Sequence, residues 1–166
     1  NNDGVKVKPI YHTNGGLTGF YIMGNHFNQA GSFVIKTDAN GATVWQKKFD
    51  HPASTGNYYF RDIKTTADGG CIIAANQAGT SVQPTPVIIK MTAAGAVTWA
   101  SAYRFNNDYN YTAEAITVTN DGYAVTGTYA NNKNLTYKIS STGTITWANF
   151  YSTIDATVSY INGLAI

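Results

Sequence analysis

The sequence of 166 residues contains one cysteine, Cys71, together with one glutamate and three leucines. A single cysteine excludes an intrachain disulfide and a metal site built on several thiolates. The scarcity of leucine and glutamate argues against a helical fold, because unbranched residues lose little rotamer freedom in helices. Only 12% of the residues are charged, yet no apolar run is long enough to span a membrane as a helix.

The abundant residues favour strands. The sequence has 14 isoleucines, 10 valines, 22 threonines and 12 tyrosines, all β-branched or aromatic types that suit a pleated, half-buried surface. With 43% apolar residues the chain is too hydrophobic to be disordered, and its net charge of +2 provides no strong field for nucleic acid. The composition therefore predicts an all-β protein.

An internal repeat organises the chain. The segments 33–45, 87–99 and 135–147 align without gaps, and a glycine-containing turn followed by an apolar strand precedes each of them. The positions shared by the three segments are Lys36, Lys90 and Lys138, then Gly41, Gly95 and Gly143, and finally Trp45, Trp99 and Trp147. The tryptophans lie 54 and 48 residues apart, which predicts units of about 50 residues.

Each unit is predicted to contain four short antiparallel strands joined by three turns. In the middle unit we expect strands at about 61–66, 71–77, 86–92 and 96–103, because Gly-containing turns separate these runs. Four antiparallel strands that recur as a fixed module are typical of β-propeller blades, whereas the strands of a sandwich do not repeat in this way.

The whole chain, 1–166, is therefore predicted to be a single β-propeller-type region. Its units cover about 5–50, 60–103 and 113–151, and a fourth begins at 158–166. Closed propellers typically have about four to eight blades. Three units and one strand suggest a portion of a longer chain, or copies that associate to complete a ring. A third alternative is that the last strand latches onto the first unit.

The motif at 35–45, Ile-Lys-Thr-Asp-Ala-Asn-Gly-Ala-Thr-Val-Trp, resembles the propeller repeats of secreted Bacteroidetes surface proteins. It is similar, more distantly, to the quinoprotein-type blade, whose tryptophan docks between adjacent blades. The resemblance covers about Val5 to Ile166 and implies a scaffold at the bacterial cell surface or outside the cell. It implies no active site, because the chain lacks the cofactor-binding residues and vicinal cysteines of quinoprotein enzymes.

A residue that recurs in every unit is expected to serve the unit, whereas a site must break the symmetry. We therefore interpret Trp45, Trp99 and Trp147 as packing anchors between blades. The linkers between units and the loops after each second strand break the symmetry and share one face of a propeller. The candidate binding residues on that face are Tyr58, Tyr59, Asp62, Arg104, Asn107, Asp108, Tyr109, Tyr111 and Glu114.

Aromatic rings beside amide and carboxylate groups are suited to a glycan or a protein partner. The structural alternative is that Asn, Asp, Gly and Ser are the ordinary residues of turns. Asp62 and Glu114 are expected to point towards the central channel. There they could bind a cation, or they could accept linker N–H bonds and pair with Arg61 and Arg104. We predict no metal site and no cofactor, because no motif supports one.

These observations favour a non-enzymatic extracellular binding or structural module. One alternative is a carbohydrate-active enzyme with part of its site in further blades, although a single glutamate disfavours it because glycoside hydrolysis normally needs two placed carboxylates. Another alternative is an assembly module that pairs through open strand edges.

Overall fold

The computed structural model describes residues 6–26, 31–50, 57–79, 82–105, 110–129 and 133–152, and these ranges contain strands but no helix. The strands are β1 (Lys6–Tyr11), β2 (Leu17–His26), β3 (Gly31–Asp38), β4 (Thr43–Phe49), β5 (Asn57–Thr65), β6 (Cys71–Gly79), β7 (Val82–Met91), β8 (Val97–Ala102), β9 (Ala115–Thr119), β10 (Gly122–Tyr129), β11 (Lys133–Ser140) and β12 (Ile145–Ser152). The all-β prediction is confirmed. In the described part of the chain, nothing forms a helix long and apolar enough to cross a lipid bilayer.

The strands form three four-stranded antiparallel sheets, as the repeat predicted. The first sheet contains β1–β4, the second β5–β8 and the third β9–β12, and in each sheet the strands lie side by side in chain order. Short turns produce this arrangement, because two antiparallel neighbours can be joined by a few residues whereas parallel strands need a long crossover.

The turn between the third and fourth strands is the same in every sheet. Gly41, Gly95 and Gly143 have φ values of 86°, 85° and 86°, a left-handed conformation that glycine adopts without steric cost. The repeated lysine before each turn pairs across neighbouring strands with the repeated tryptophan after it. The pairs are Lys36 with Trp45, Lys90 with Trp99 and Lys138 with Trp147.

Two strands of the middle unit begin earlier than the sequence predicted. β5 begins at Asn57 rather than at 61, and β7 begins at Val82 rather than at 86. Residues 57–60 continue the pairing with β6 beyond a shift in register between Phe60 and Asp62. A bulge of this kind lets a strand continue through one unpaired residue. The predicted fourth unit at 158–166 lies outside the described residues.

The second sheet is buried on both faces, since its apolar residues alternate between two cores. Ile72, Ala74 and Ile88 pack in a cluster with residues of the third sheet. Cys71, Ile73 and their same-face neighbours pack in a cluster with Tyr21 and Met23 of the first sheet. The period of two along a strand therefore places the second sheet between the other two.

The first strands of the three sheets lie next to one another, because β5 contacts both β1 and β9. A carboxylate of β5 connects them. Asp62 lies 3.6 Å from Lys6 Nζ of β1, and it accepts a hydrogen bond from the Ile116 N–H of β9 at 3.1 Å. Asp62 is only 3% exposed, so its carboxylate is buried, whereas the Lys6 side chain that approaches it is partly exposed.

In each of the first two sheets, an asparagine of the second strand forms hydrogen bonds to the backbone of the following unit. Asn25 accepts the Phe60 N–H and donates to the Phe60 carbonyl, at 2.7 and 3.0 Å. Asn76 binds the two backbone groups of Ala113 in the same way, at 2.7 and 3.1 Å. These buried asparagines join consecutive sheets through fully satisfied amide groups.

The repeated tryptophans form a second link between consecutive sheets. Trp45 Nε1 donates to the Ala93 carbonyl at 3.0 Å, and Trp99 Nε1 donates to the Ser141 carbonyl at 3.2 Å. Each ring lies over the glycine of the same turn, since a Cβ at Gly95 would lie 3.0 Å from Trp45 and one at Gly143 would lie 3.1 Å from Trp99. Trp147 has no such turn beside it among the described residues, and it is 42% exposed.

Candidate functional site

A cleft of about 500 Å³ opens between the second and third sheets, on the side of the molecule where the turns after first and third strands lie. Its lining combines aromatic rings, carboxylates, a lysine and hydroxyl groups. The lining includes Asp68, Lys90, Trp99, Asp121, Tyr123 and Thr142. A volume of this size is within the range of about 300–1,000 Å³ that small-molecule sites occupy.

Trp99 and Tyr123 supply the aromatic part of the lining. Their ring centroids are 6.3 Å apart and their planes are tilted by 56°. Trp99 is fixed by its hydrogen bond to the Ser141 carbonyl, and Tyr123 is 5% exposed. Burial, together with the nearby Asp68 carboxylate, raises the pKa of Tyr123, so its hydroxyl stays protonated at neutral pH.

Asp68 and Asp121 form the polar rim, and each is paired with a lysine, although only Lys90 of the two lysines also lines the cleft. Lys90 Nζ donates to Asp68 Oδ2 at 2.8 Å, and Lys138 Nζ donates to Asp121 Oδ2 at 2.6 Å. The Asp68 and Asp121 side chains are 58% and 69% exposed, so both retain lone pairs that face solvent. Because each carboxylate has its own lysine, the rim has no excess of either charge.

Burial by itself would raise the pKa of Asp68, but hydrogen bonds from Lys90, Thr66 and the Gly70 N–H lower it to about 2. The hydrogen bond from Lys138 is the main reason that the pKa of Asp121 is also lowered. Both carboxylates therefore remain ionised at any physiological pH, as hydrogen-bond acceptors rather than proton donors.

The corresponding space between the first and second sheets is filled by two side chains. The Tyr21 hydroxyl donates to the Gly69 carbonyl at 2.7 Å, and Lys36 Nζ donates to the Ala93 carbonyl at 3.0 Å. Both side chains reach from the first sheet to turns of the second, and Tyr21 is fully buried.

Two differences in sequence explain why the second space stays open. Ile72 pairs with Lys90 at the position where Tyr21 pairs with Lys36, and isoleucine is too short to cross to the next turn. In addition, Asp68 holds Lys90 within the second sheet, whereas Lys36 extends to the next sheet. The cleft thus lies at a position where the repeat is broken.

The candidate residues chosen from the sequence fall in different places. Asp62 is buried and bound by Lys6, Lys64 and the Ile116 N–H. Glu114 lies 3.7 Å from Arg61 Nε, which is one of the pairings considered above. These two acidic side chains serve the contacts between first strands.

Tyr111 belongs to the core rather than to an exposed face. It is 1% exposed, its hydroxyl donates to the Phe105 carbonyl at 2.8 Å, and its ring stacks on Tyr129 at 4.6 Å. Tyr58 and Tyr59 are half-buried strand residues of β5 rather than linker residues, and Arg104 is exposed. Asn107, Asp108 and Tyr109 lie outside the described residues.

None of the six binding candidates that the structure describes lines the cleft. Sequence reasoning interpreted Lys90 and Trp99 chiefly as repeated residues, and it did not select Asp68 or Asp121 as a binding residue. A residue-by-residue comparison of the second strands, 20–24 and 71–75, could have found the site, because Ile72 stands where the first unit has Tyr21.

The thiol of Cys71 is buried and is a poor nucleophile. Burial raises the pKa of the Cys71 thiol to about 12, so almost none of it is thiolate at neutral pH. Over the described ranges, no group of three or more His, Cys, Asp or Glu side chains is placed to hold a metal ion.

No protein-family model and no curated protein matches this sequence. What the chain does is therefore inferred from its own residues.

Proposed function

We propose that this protein is a non-enzymatic saccharide-binding module, and that its ligand occupies the cleft between the second and third sheets. The observation that carries the proposal is the combination of Trp99 and Tyr123 with two charge-balanced carboxylates in one cleft. The apolar C–H face of a sugar ring packs on an aromatic surface, while its hydroxyls require acceptors and donors at the rim.

The charge balance supports a neutral ligand. A phosphate or a sulfate would meet Asp68 and Asp121, and a cation would compete with Lys90 and Lys138 for the same oxygens. A polyhydroxylated neutral molecule can instead donate to the carboxylates without disturbing either ion pair. Hydrogen bonds to charged groups are stronger than neutral ones, which suits recognition at a solvated rim.

The three sheets, in this proposal, are consecutive blades of a β-propeller. Three relations between the first and second sheets recur between the second and third and support it. They are the adjacent first strands, the asparagine bonds to Phe60 and Ala113, and the tryptophan bonds to Ala93 and Ser141. The low charge of the sequence and its many Tyr, Thr, Asn and Gly residues support an extracellular or cell-surface location.

The experiment is a glycan array, followed by titration calorimetry with the saccharides that bind. Asp121→Ala removes an exposed rim acceptor without affecting the core, and we expect it to weaken binding at least tenfold. Trp99→Phe should weaken binding as well, because the smaller ring offers less surface to the sugar. Glu114→Gln is the matched control, since Glu114 is an acidic residue outside the cleft, and it should bind as the unmodified chain does.

The proposal fails if no saccharide binds, or if Asp121→Ala and Trp99→Phe bind as tightly as the unmodified chain. Chromogenic glycosides incubated with the protein address the enzymatic alternative. Turnover that Glu114→Gln abolishes would replace the binding function with glycoside hydrolysis, whereas binding without turnover supports the proposal.

A further inference from the structure

Among the described residues, Trp147 and the turn at 38–41 are the two halves of the link between consecutive sheets that have no counterpart. Trp45 and Trp99 each lie on the turn of the following sheet, and Trp147 is the third tryptophan of the series. It is 42% exposed and has no corresponding turn among the described residues.

The first sheet provides the other half of this link. Its turn at 38–41 matches the turns at 92–95 and 140–143, and Ala39 occupies the position of the acceptors Ala93 and Ser141. Ala39, Asn40 and Gly41 are exposed, and a Cβ added at Gly41 would meet nothing within 4 Å. The surface above this turn is open where the other two turns carry a tryptophan ring.

A buried polar atom marks the same end of the molecule as Trp147. Asn134 is 5% exposed, yet its Oδ1 has no hydrogen-bond partner in the structure as described. Asn134 of β11 pairs with Thr128 of β10. Thr128 occupies the position in its strand that Asn25 and Asn76 occupy in the first two sheets, where each asparagine binds the following sheet. A buried oxygen without a hydrogen bond is destabilising, so a backbone N–H supplied from outside this sheet would be stabilising there.

We propose that two copies of this chain associate head to tail, with Trp147 of one copy on the 38–41 turn of the other. In this contact the indole N–H donates to the Ala39 carbonyl and the ring covers Gly41, as Trp45 covers Gly95 within one chain. Every copy retains one free half, so the contact is heterologous and continues until a ring closes or a chain of copies forms. The proposal does not depend on saccharide binding, because the cleft lies between the second and third sheets.

The experiment is analytical ultracentrifugation over a range of concentrations, on the unmodified chain and on two variants. We expect species heavier than 17.9 kDa that increase with concentration. Trp147→Ala removes the ring, and Gly41→Asn places a side chain where the ring would lie. Each change should weaken self-association at least tenfold.

Gly15→Asn is the matched control for Gly41→Asn. Gly15 has φ 84° against 86° for Gly41, and a Cβ at either position meets nothing within 4 Å. Asparagine tolerates this backbone conformation better than other residues with side chains. The control therefore imposes the same strain on a turn that the proposed contact does not use, and it should associate as the unmodified chain does.

Mixing the two variants provides the decisive measurement. Trp147→Ala retains an intact 38–41 turn and Gly41→Asn retains an intact Trp147, so an equimolar mixture should form 1:1 dimers and nothing larger. A chain that stays monomeric at all attainable concentrations would overturn the proposal. Association that neither variant weakens, or a mixture that does not recover dimers although both variants fold by circular dichroism, would also overturn it.

Discussion

The indole N–H of Trp45 donates a hydrogen bond to the Ala93 carbonyl at 3.0 Å, and this bond joins the last strand of the first sheet to a turn of the second. Its counterpart, from Trp99 to Ser141, joins the second sheet to the third. Because the same contact, from a tryptophan to the backbone of an equivalent turn, occurs twice, the link belongs to the repeated unit rather than to one place in the fold. Its contribution to the free energy of unfolding can be measured by comparing a tryptophan that lies on the next turn with one that does not.

Trp45→Ala should destabilise the protein by about 2–3 kcal/mol, somewhat less than the usual cost for a fully buried tryptophan because this ring is half-buried. Trp147→Ala is the control, since Trp147 is exposed and should cost less than about 1 kcal/mol. Urea unfolding of both variants, at a concentration at which the chain is monomeric, gives the two free energies. Equal losses would show that the ring of Trp45 gains nothing from the turn beneath it.

Gly95→Ala and Gly41→Ala separate backbone strain from contact with the tryptophan. Both glycines have a φ near 86°, so each substitution incurs the same left-handed penalty of about 1–2 kcal/mol. Only at Gly95 would the new Cβ also lie 3.0 Å from the Trp45 ring. We therefore expect Gly95→Ala to lower the free energy of unfolding by about 1 kcal/mol more than Gly41→Ala does. Thermal unfolding would show no difference if the ring can move aside freely.

Asp62→Ala should destabilise the chain by about 2 kcal/mol, because it leaves the buried Ile116 N–H without an acceptor and removes the partner of Lys6 and Lys64. Glu114→Gln removes a carboxylate from a partly exposed pair with Arg61, 3.7 Å apart, and should cost less than about 1 kcal/mol. Denaturant midpoints at neutral pH compare the two. A loss for Asp62→Ala no larger than that for Glu114→Gln would contradict the structural role of Asp62.

Stability should decrease at acid pH partly through Asp68. Its pKa is about 2 in the folded protein and 3.8 as the ordinary value, so the folded state binds this proton more weakly than the unfolded state does. The contribution is therefore fully present above about pH 4 and is lost as the pH falls towards 2. Asp68→Asn should make unfolding midpoints less dependent on pH in this interval. An unchanged slope would show that the pair with Lys90 does not stabilise the fold.

Composition and periodicity were sufficient to predict the strands and their grouping. The β-branched and aromatic residues excluded helices, the glycine turns separated the strands, and the recurrence of Lys, Gly and Trp defined three units. These are local signals, because a turn needs its own glycine and a strand needs its own alternation. Their limit was reached at Tyr58 and Tyr59, which the sequence placed in a linker and which pair with β6 instead.

The cleft was decided by tertiary structure. Lys90 and Lys36 occupy equivalent positions in the repeat, yet one binds Asp68 in its own sheet and the other crosses to Ala93. Likewise Tyr111, which the sequence suggested as a surface residue, lies in the core because the third sheet packs around it. A side chain's partner depends on which sheet stands beside it and at what distance. Sequence alone therefore determined the repeated unit, whereas the packing of consecutive, non-identical sheets determined where the cleft opens between them.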